Sequence, residues 1–263
     1  MVALIKALIS YRKIIWSLAK NDFQNRYLGS ALGILWAFIL PMVNLAIMWF
    51  AFQYGFRASP QEGVPFILWL VTGMFPWAFF SESVLSASNS ILEKSFLVKK
   101  VVFQVELLPL IKIIAAFLPF IFLSIVMLLM FLAYGFWVDI YWVQIPYYAL
   151  CLCALVLSLS WFTSSIVVFY RDLAQVIGVL LQLGFWATPI FWAPTLLPEN
   201  LRFVVFFNPV SYIVMGYRNS LITKVWFWQE PQQTLYFWGV VGLFSFGGLF
   251  VFKKLRPHFA DVL

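Results

Sequence analysis

Long runs without a single Asp, Glu, Lys or Arg alternate with short charged segments along this chain, and that alternation organises everything else. Six charge-free runs are long enough to cross a bilayer: Ala31 to Phe56, Gly63 to Ser81, Ile113 to Val138, Ile140 to Tyr170, Leu173 to Pro198 and Pro231 to Phe252. A helix needs about 20 apolar residues to span the hydrocarbon, and a charge at its centre costs about 2.5 to 3.5 kcal/mol, so these runs predict six transmembrane helices. A seventh run, Phe203 to Tyr217, is too short to cross and is interrupted by Asn208-Pro209. It predicts a re-entrant or interfacial hairpin that enters and leaves on one side.

The pattern ahead of the first run is different. At about 100° per residue, Leu4, Leu8, Tyr11, Ile15 and Leu18 share one arc, while Lys6, Lys13 and Lys20 repeat on the opposite side. Residues 1–30 therefore read as a cationic amphipathic helix lying in the membrane interface. Charges distributed through this segment leave it without the unbroken apolar core of a cleaved signal peptide, so it is expected to be retained. The segment Asn89 to Glu106 (NSILEKSFLVKKVVFQVE) is too polar to cross and too apolar for a free loop, which predicts one or two short helices parallel to the membrane.

The expected organisation is an all-α integral membrane protein. An interface helix (1–30) precedes a six-helix domain (31–252) with crossings at about 31–56, 64–86, 110–136, 143–170, 173–193 and 231–252. A re-entrant element (203–224) and a short tail (253–263) complete it. Composition agrees: 64% of residues are hydrophobic and 10% charged, against about 45 to 50% and about 25% in soluble domains, with 21% aromatic residues and a mean hydropathy of +0.95. With six crossings, 13 of the 17 Lys and Arg residues fall on the side of the termini, while Arg57, Arg202, Arg218 and Lys224 fall on the other. The excess of basic residues marks cytoplasmic loops, which places both termini in the cytoplasm and accounts for the net +7 without nucleic acid as a partner.

Chemistry is sparse. Cys151 and Cys153 lie inside an uncharged run and read as small apolar fillers, and His258, the single histidine, has no ligands around it. No GxxxxGK[ST] phosphate loop, paired carboxylates or Ser/His/Asp set occurs, and the charge-free spans hold no ionisable group for an ion-coupled carrier. A catalytic role, a metal and a cofactor in this chain are therefore not expected, and any energy source belongs to another chain.

Three blocks carry a family resemblance. The stretch Asn25 to Trp36 (NRYLGSALGILW), with Pro41 following, resembles the RYxxSxLGxxWxxxxP opening of the permeases of type-2 ABC exporters for O-antigen, capsule and teichoic acid. Phe169 to Ile190 (FYRDLAQVIGVLLQLGFWATPI) is similar to that family's RDLxxxxxxxLQxxFxxTPI segment, and Asn208 to Asn219 (NPVSYIVMGYRN) to its NPxxxxxxxxR segment. The resemblance implies a homodimer in the bacterial inner membrane. Two copies of an ATP-binding cassette subunit would hold ATP and magnesium, and the cargo would be an undecaprenyl-linked polysaccharide, taken here as O-antigen, with capsule, teichoic acid, a small molecule or a non-transporting scaffold as alternatives.

The resemblance also assigns roles. Arg12, Arg26, Glu93, Lys94, Lys99, Lys100, Arg171 and Asp172 become candidates for contact with the ATPase, and Asn208, Pro209, Tyr212 and Arg218 for the outer gate. Because family members line their channel with the first and fifth spans, Trp36, Phe38, Trp49, Phe185, Trp186 and Trp192 are candidates for the path, where sugar rings stack on aromatic faces. Interfacial belts and helix packing use aromatics in the same way.

Overall fold

In a computed structural model, residues 10–26, 31–57, 62–96 and 104–263 are described. Lys99 and Lys100 lie outside them. Helices dominate, and no strand occurs among the described residues. The interface helix α1 (Arg12–Asn25) leads to α2 (Trp36–Phe50), which opens with a 3₁₀ turn and closes with a π turn, so that Gly33–Gly55 is one apolar rod. Then follow α3 (Phe66–Ser88), the short α4 (Ser90–Glu93), α5 (Leu108–Ala133), α6 (Gln144–Val167) and α7 (Leu173–Ala187). The hairpin is α8 (Phe203–Phe207) and α9 (Pro209–Arg218), and α10 (Pro231–Leu255) and α11 (Phe259–Val262) end the chain.

Five of these are long and apolar enough to cross a membrane: Gly33–Gly55, Phe66–Ser88, Val105–Ala133, Ile140–Val167 and Pro231–His258. The fifth expected crossing, drawn over 173–193, is instead a helix of 15 residues that stops at Ala187. The cause is local. Pro189 disfavours the helical conformation in the residue before it, and Thr188 is extended (φ −84°, ψ 139°). At about 1.5 Å per residue such a helix spans about 22 Å, short of the roughly 30 Å hydrocarbon layer, and the chain then bends through Thr188 to Ile190, where the Ile190 amide donates to the Thr188 carbonyl at 2.7 Å.

The core is built around α3, whose faces pack against α2, α5, α6, α7 and α9. Trp69, Leu70, Val71 and Phe75 are fully enclosed. Close backbone approach of small residues is how helices associate in a medium as apolar as their own side chains. Gly248 of α10 lies against the Ser158 carbonyl of α6, and Gly216 of α9 lies against the ring of Tyr148.

A Cβ on Gly216 would stand 2.0 Å from a Tyr148 ring carbon. Gly216→Ala is therefore expected to force α9 and α6 apart at a cost of about 1 to 3 kcal/mol. The change will be read as a lower thermal unfolding midpoint in detergent. Gly239→Ala, with open space around its Cβ, should leave the midpoint unchanged.

A second apolar cluster joins the two ends of the chain. Ile15 and Ala19 of α1 pack with Ile91, Leu107, Ile111, Trp161, Phe252 and Phe259. The described parts of both termini thus lie at one end of the bundle. The tail is not free: α10 runs past the expected boundary, and Phe259 is fully buried against Phe252 and Phe169.

Candidate functional site

Three features stand out where the helices meet: a knot of charges at the end with the termini, an anchored hairpin at the opposite end, and two helices with little cover between them.

The charge knot starts from Asp22. It is seven residues beyond Ile15 and four beyond Leu18, so it falls on the apolar face of α1 and is carried inward, to 5% exposure. The Lys112 ammonium, equally buried in α5, donates to Asp22 Oδ1 at 2.6 Å and also to Glu93 of α4. Arg26 lies 3.5 Å and Lys94 3.7 Å from Asp22, and Arg26 reaches Glu82 of α3. Three cations and three anions from four helices and their ends neutralise one another in one place. Burying any of them alone would be costly.

Of the residues expected to meet an ATPase, the fold brings Arg26, Glu93 and Lys94 into this knot. Arg12 is exposed on the outer face of α1, beside the exposed Ile14 and Trp16. Arg171 and Asp172 are exposed at the turn before α7 and form no ion pair among the described residues. Asp22, Glu82 and Lys112 were missed. The charge-free runs stop beside Glu82 and Lys112, whereas the crossings drawn over 64–86 and 110–136 take both in and the helices do run through both, so the expectation of spans without an ionisable group does not hold. The signal for Asp22 was its helical position.

At the opposite end, Asn208 caps α9 by accepting from the Val210 amide at 3.0 Å, with Pro209 at the first helical position. The Asn208 side-chain amide donates to Thr188 Oγ1 at 2.9 Å, tying the hairpin to the break after α7. Tyr212 shares hydroxyl hydrogen bonds with Tyr147 and Thr234, at 3.0 and 3.1 Å.

Arg218 is the anchor. It is fully buried, donates to the carbonyls of Pro189 (2.5 Å) and Ile190 (2.9 Å), and lies 3.6 Å from the centre of the Trp69 ring. Carbonyl dipoles and a ring face hold its charge in place of a carboxylate. The sequence marked Arg218 as part of an outer element. Its role as a bolt between α9, α3 and the segment after α7 needed the fold.

The hairpin ends at Lys224, in the left-handed region (φ 56°), whose ammonium is 2.7 Å from Asp139 Oδ2. The hydrogen bond from Lys224 and then that from the Ile140 amide hold the Asp139 carboxyl below its ordinary range. A depressed carboxylate pKa contributes stability above the unfolded value of about 3.9, which is lost as pH falls through the folded value. The thermal midpoint of wild type minus that of Asp139→Asn is expected to stay constant from about pH 5 upward and to shrink as pH falls below the unfolded value of about 3.9. A difference that grows on acidification would contradict the pairing.

Between the two ends, α2 and α7 are poorly covered. Only Ala37 and Leu45 of α2 and Ile177 of α7 are buried, while Leu40, Val43, Ile47 and Phe50 of one and Val176, Leu180, Leu183 and Trp186 of the other are exposed. The expected path residues divide. Phe185 and Trp186 stand edge to face, 5.6 Å apart, and the indole of Trp192 donates to the Trp186 carbonyl. Trp49 packs on Tyr54 farther along α2. Phe38 turns to Phe122 of α5 at 4.5 Å, and Trp36 lines a separate groove of about 240 Å³ with Arg26 and Glu82.

Three aromatics that were not singled out complete the group. Phe191 stacks on Phe52 of α2 (4.6 Å, 6° between planes) and meets Phe185 at 5.1 Å, while Trp77 of α3 backs Phe185. These contacts link the end of α2 to the segment after α7 through rings alone.

The family model described as ABC-2 type transporter matches residues 13–222. The chain is 28% identical over 247 residues to an O-antigen export system permease protein RfbA of Klebsiella pneumoniae, covering 94% of this chain and 93% of that one. It is also 28% identical over 264 residues to a protein of the same name from Myxococcus xanthus, covering 99% of each. The matched region takes in the charge knot, both sparsely covered helices and the hairpin, and the chain belongs to the ABC-2 type transporter family.

Proposed function

We propose that this chain is the membrane-spanning subunit of an ATP-driven exporter that moves lipid-linked O-antigen polysaccharide from the cytoplasm across the bacterial inner membrane. The observation that carries the proposal is likeness along nearly the whole chain to proteins named O-antigen export permeases. ATP, with magnesium, is hydrolysed on two copies of a separate ATP-binding subunit docked at the end of the bundle that carries the termini, which faces the cytoplasm.

The open faces of α2 and α7 support a homodimer, because in this reading a second copy supplies the wall that the chain lacks there. Closure of the ATPase pair pushes on α1 and the segment from Asn89 to Glu106. Since Asp22, Glu93, Lys94 and Lys112 join those parts to α5, the push moves the bundle as a body and opens the seam. The undecaprenyl carrier enters from the inner leaflet, and the polymer slides past aromatic faces that hold each sugar weakly.

Deletion of the gene is expected to remove O-antigen from the surface and leave undecaprenyl-linked polymer inside, with both effects reversed by the wild-type gene. Replacing Trp36 and Trp186 together by Ala should lower surface polymer severalfold at an unchanged protein level. Normal surface polymer in the deletion strain would refute the assignment, and normal export by the double variant would remove those two rings from the path.

A further inference from the structure

A cavity of about 360 Å³ lies between the hairpin and the start of α10, apart from the α2 and α7 faces. Small-molecule sites occupy roughly 300 to 1,000 Å³, so it has room for a small ligand. Its walls combine ring faces with free polar ends. Tyr212 hydrogen bonds to Tyr147 and Thr234, and Tyr236 donates to the Phe207 carbonyl at 2.9 Å, so the hydroxyls of these tyrosines are occupied within the protein. Their rings line the cavity together with Phe206.

The polar groups are the reverse. Ser211 is 1% exposed, lines the cavity and has no partner for its hydroxyl. A buried hydroxyl left unpaired costs about 1 to 3 kcal/mol, a deficit that a ligand removes. The Glu230 carboxylate, at the cap of α10, receives only a long hydrogen bond from Asn219 at 3.4 Å. Burial raises its pKa, as expected of a carboxylate short of donors. The Gln233 amide, also in the wall, makes no hydrogen bond among the described residues.

We infer that this cavity is a binding site for a saccharide unit, in which ring CH faces rest on Tyr212 and Tyr236 while hydroxyls donate to Glu230 and pair with Ser211 and Gln233. The inference rests on the polysaccharide reading of the transporter and adds to it a holding site beside the hairpin. A lipid tail would leave these polar groups unpaired, and the wall also holds Arg202, whose guanidinium lies 4.0 Å from Glu199 and adds donors for sugar hydroxyls beside the Glu230 acceptor.

The test uses the full chain with its ATPase partner in nanodiscs, and as probe the lipid-free polysaccharide released by mild acid from the producing strain. Saturation-transfer titration should show transfer to sugar ring protons with wild type. Glu230→Gln, which keeps shape but removes the charged acceptor, should weaken binding about tenfold, in line with one hydrogen bond to a charged group. Ser211→Ala should weaken it severalfold, and Leu235→Ala, on the exposed side of α10, should not change it.

Wild-type affinity in Glu230→Gln, or no saturation transfer in a preparation that exports, would overturn the site. Loss of export on gene deletion alongside that result would leave the transporter assignment standing. Intact export in the deletion strain would remove the assignment itself.

Discussion

Lys112→Met should lower the thermal unfolding midpoint sharply, and adding Asp22→Asn should recover part of the loss. The single change removes a buried cation and leaves the knot with three anions, Asp22, Glu82 and Glu93, against Arg26 and Lys94. Removing one partner of a buried pair costs about 3 to 5 kcal/mol, because the remaining charge is stranded away from water. With Asp22 also neutral, two cations face two anions and the excess charge is gone. The second substitution, harmful by itself, should therefore be compensating here.

The functional readout should follow the same order. Surface polymer should fall about tenfold or more in Lys112→Met, since α1 loses its ion pair with α5, and rise again in the double variant. Additive losses in the double variant would show that the two side chains act independently.

Arg218→Leu is expected to have the larger effect on the opposite half. It strands the Pro189 and Ile190 carbonyls without donors, at about 1 to 3 kcal/mol each, and removes the cation from the Trp69 ring. It also releases the segment after α7 from the hairpin, so the break at Thr188 loses one of its two supports. Arg218→Lys keeps the charge, but an ammonium on a flexible stem does not present a planar fork to two carbonyls and a ring at once. The thermal midpoint should order wild type, Arg218→Lys, Arg218→Leu, with export lost in the last. A midpoint for Arg218→Leu equal to wild type would show that the hairpin is held by its apolar contacts alone.

Much of this architecture was legible from charge spacing. The rod over Gly33–Gly55 coincides closely with an uncharged run, and that over Pro231–His258 begins with one and continues past it through Lys253, Lys254 and Arg256. The start of α9 was legible because Asn208-Pro209 is a helix-start signal. The end of α7 was harder to read. A scan for charge does not register that Thr188-Pro189 breaks a helix in the middle of an uncharged stretch.

The charge knot was out of reach for a different reason. Lys112 and Asp22 are 90 positions apart, and viewed singly the first borders an uncharged run while the second only interrupts the apolar face of α1. Only their meeting turns two unfavourable burials into a tolerated pair. The aromatic group shows the same limit: the spans that would contribute rings were predictable, whereas the turn of Phe38 toward Phe122 and the stacking of Phe52 on Phe191 depend on how the helices rotate against their neighbours.

The most direct test is translocation by purified components. Proteoliposomes holding this chain and its ATP-binding partner, loaded on the ATPase-facing side with undecaprenyl-linked O-antigen, should deliver polymer to the opposite leaflet, detected by antibody or glycosidase. Delivery should require ATP and magnesium, cease when the partner's hydrolysis is blocked, and fall in Lys112→Met and Arg218→Leu. Polymer that stays in place while ATP is hydrolysed at a normal rate, or that crosses without this chain, would contradict the account.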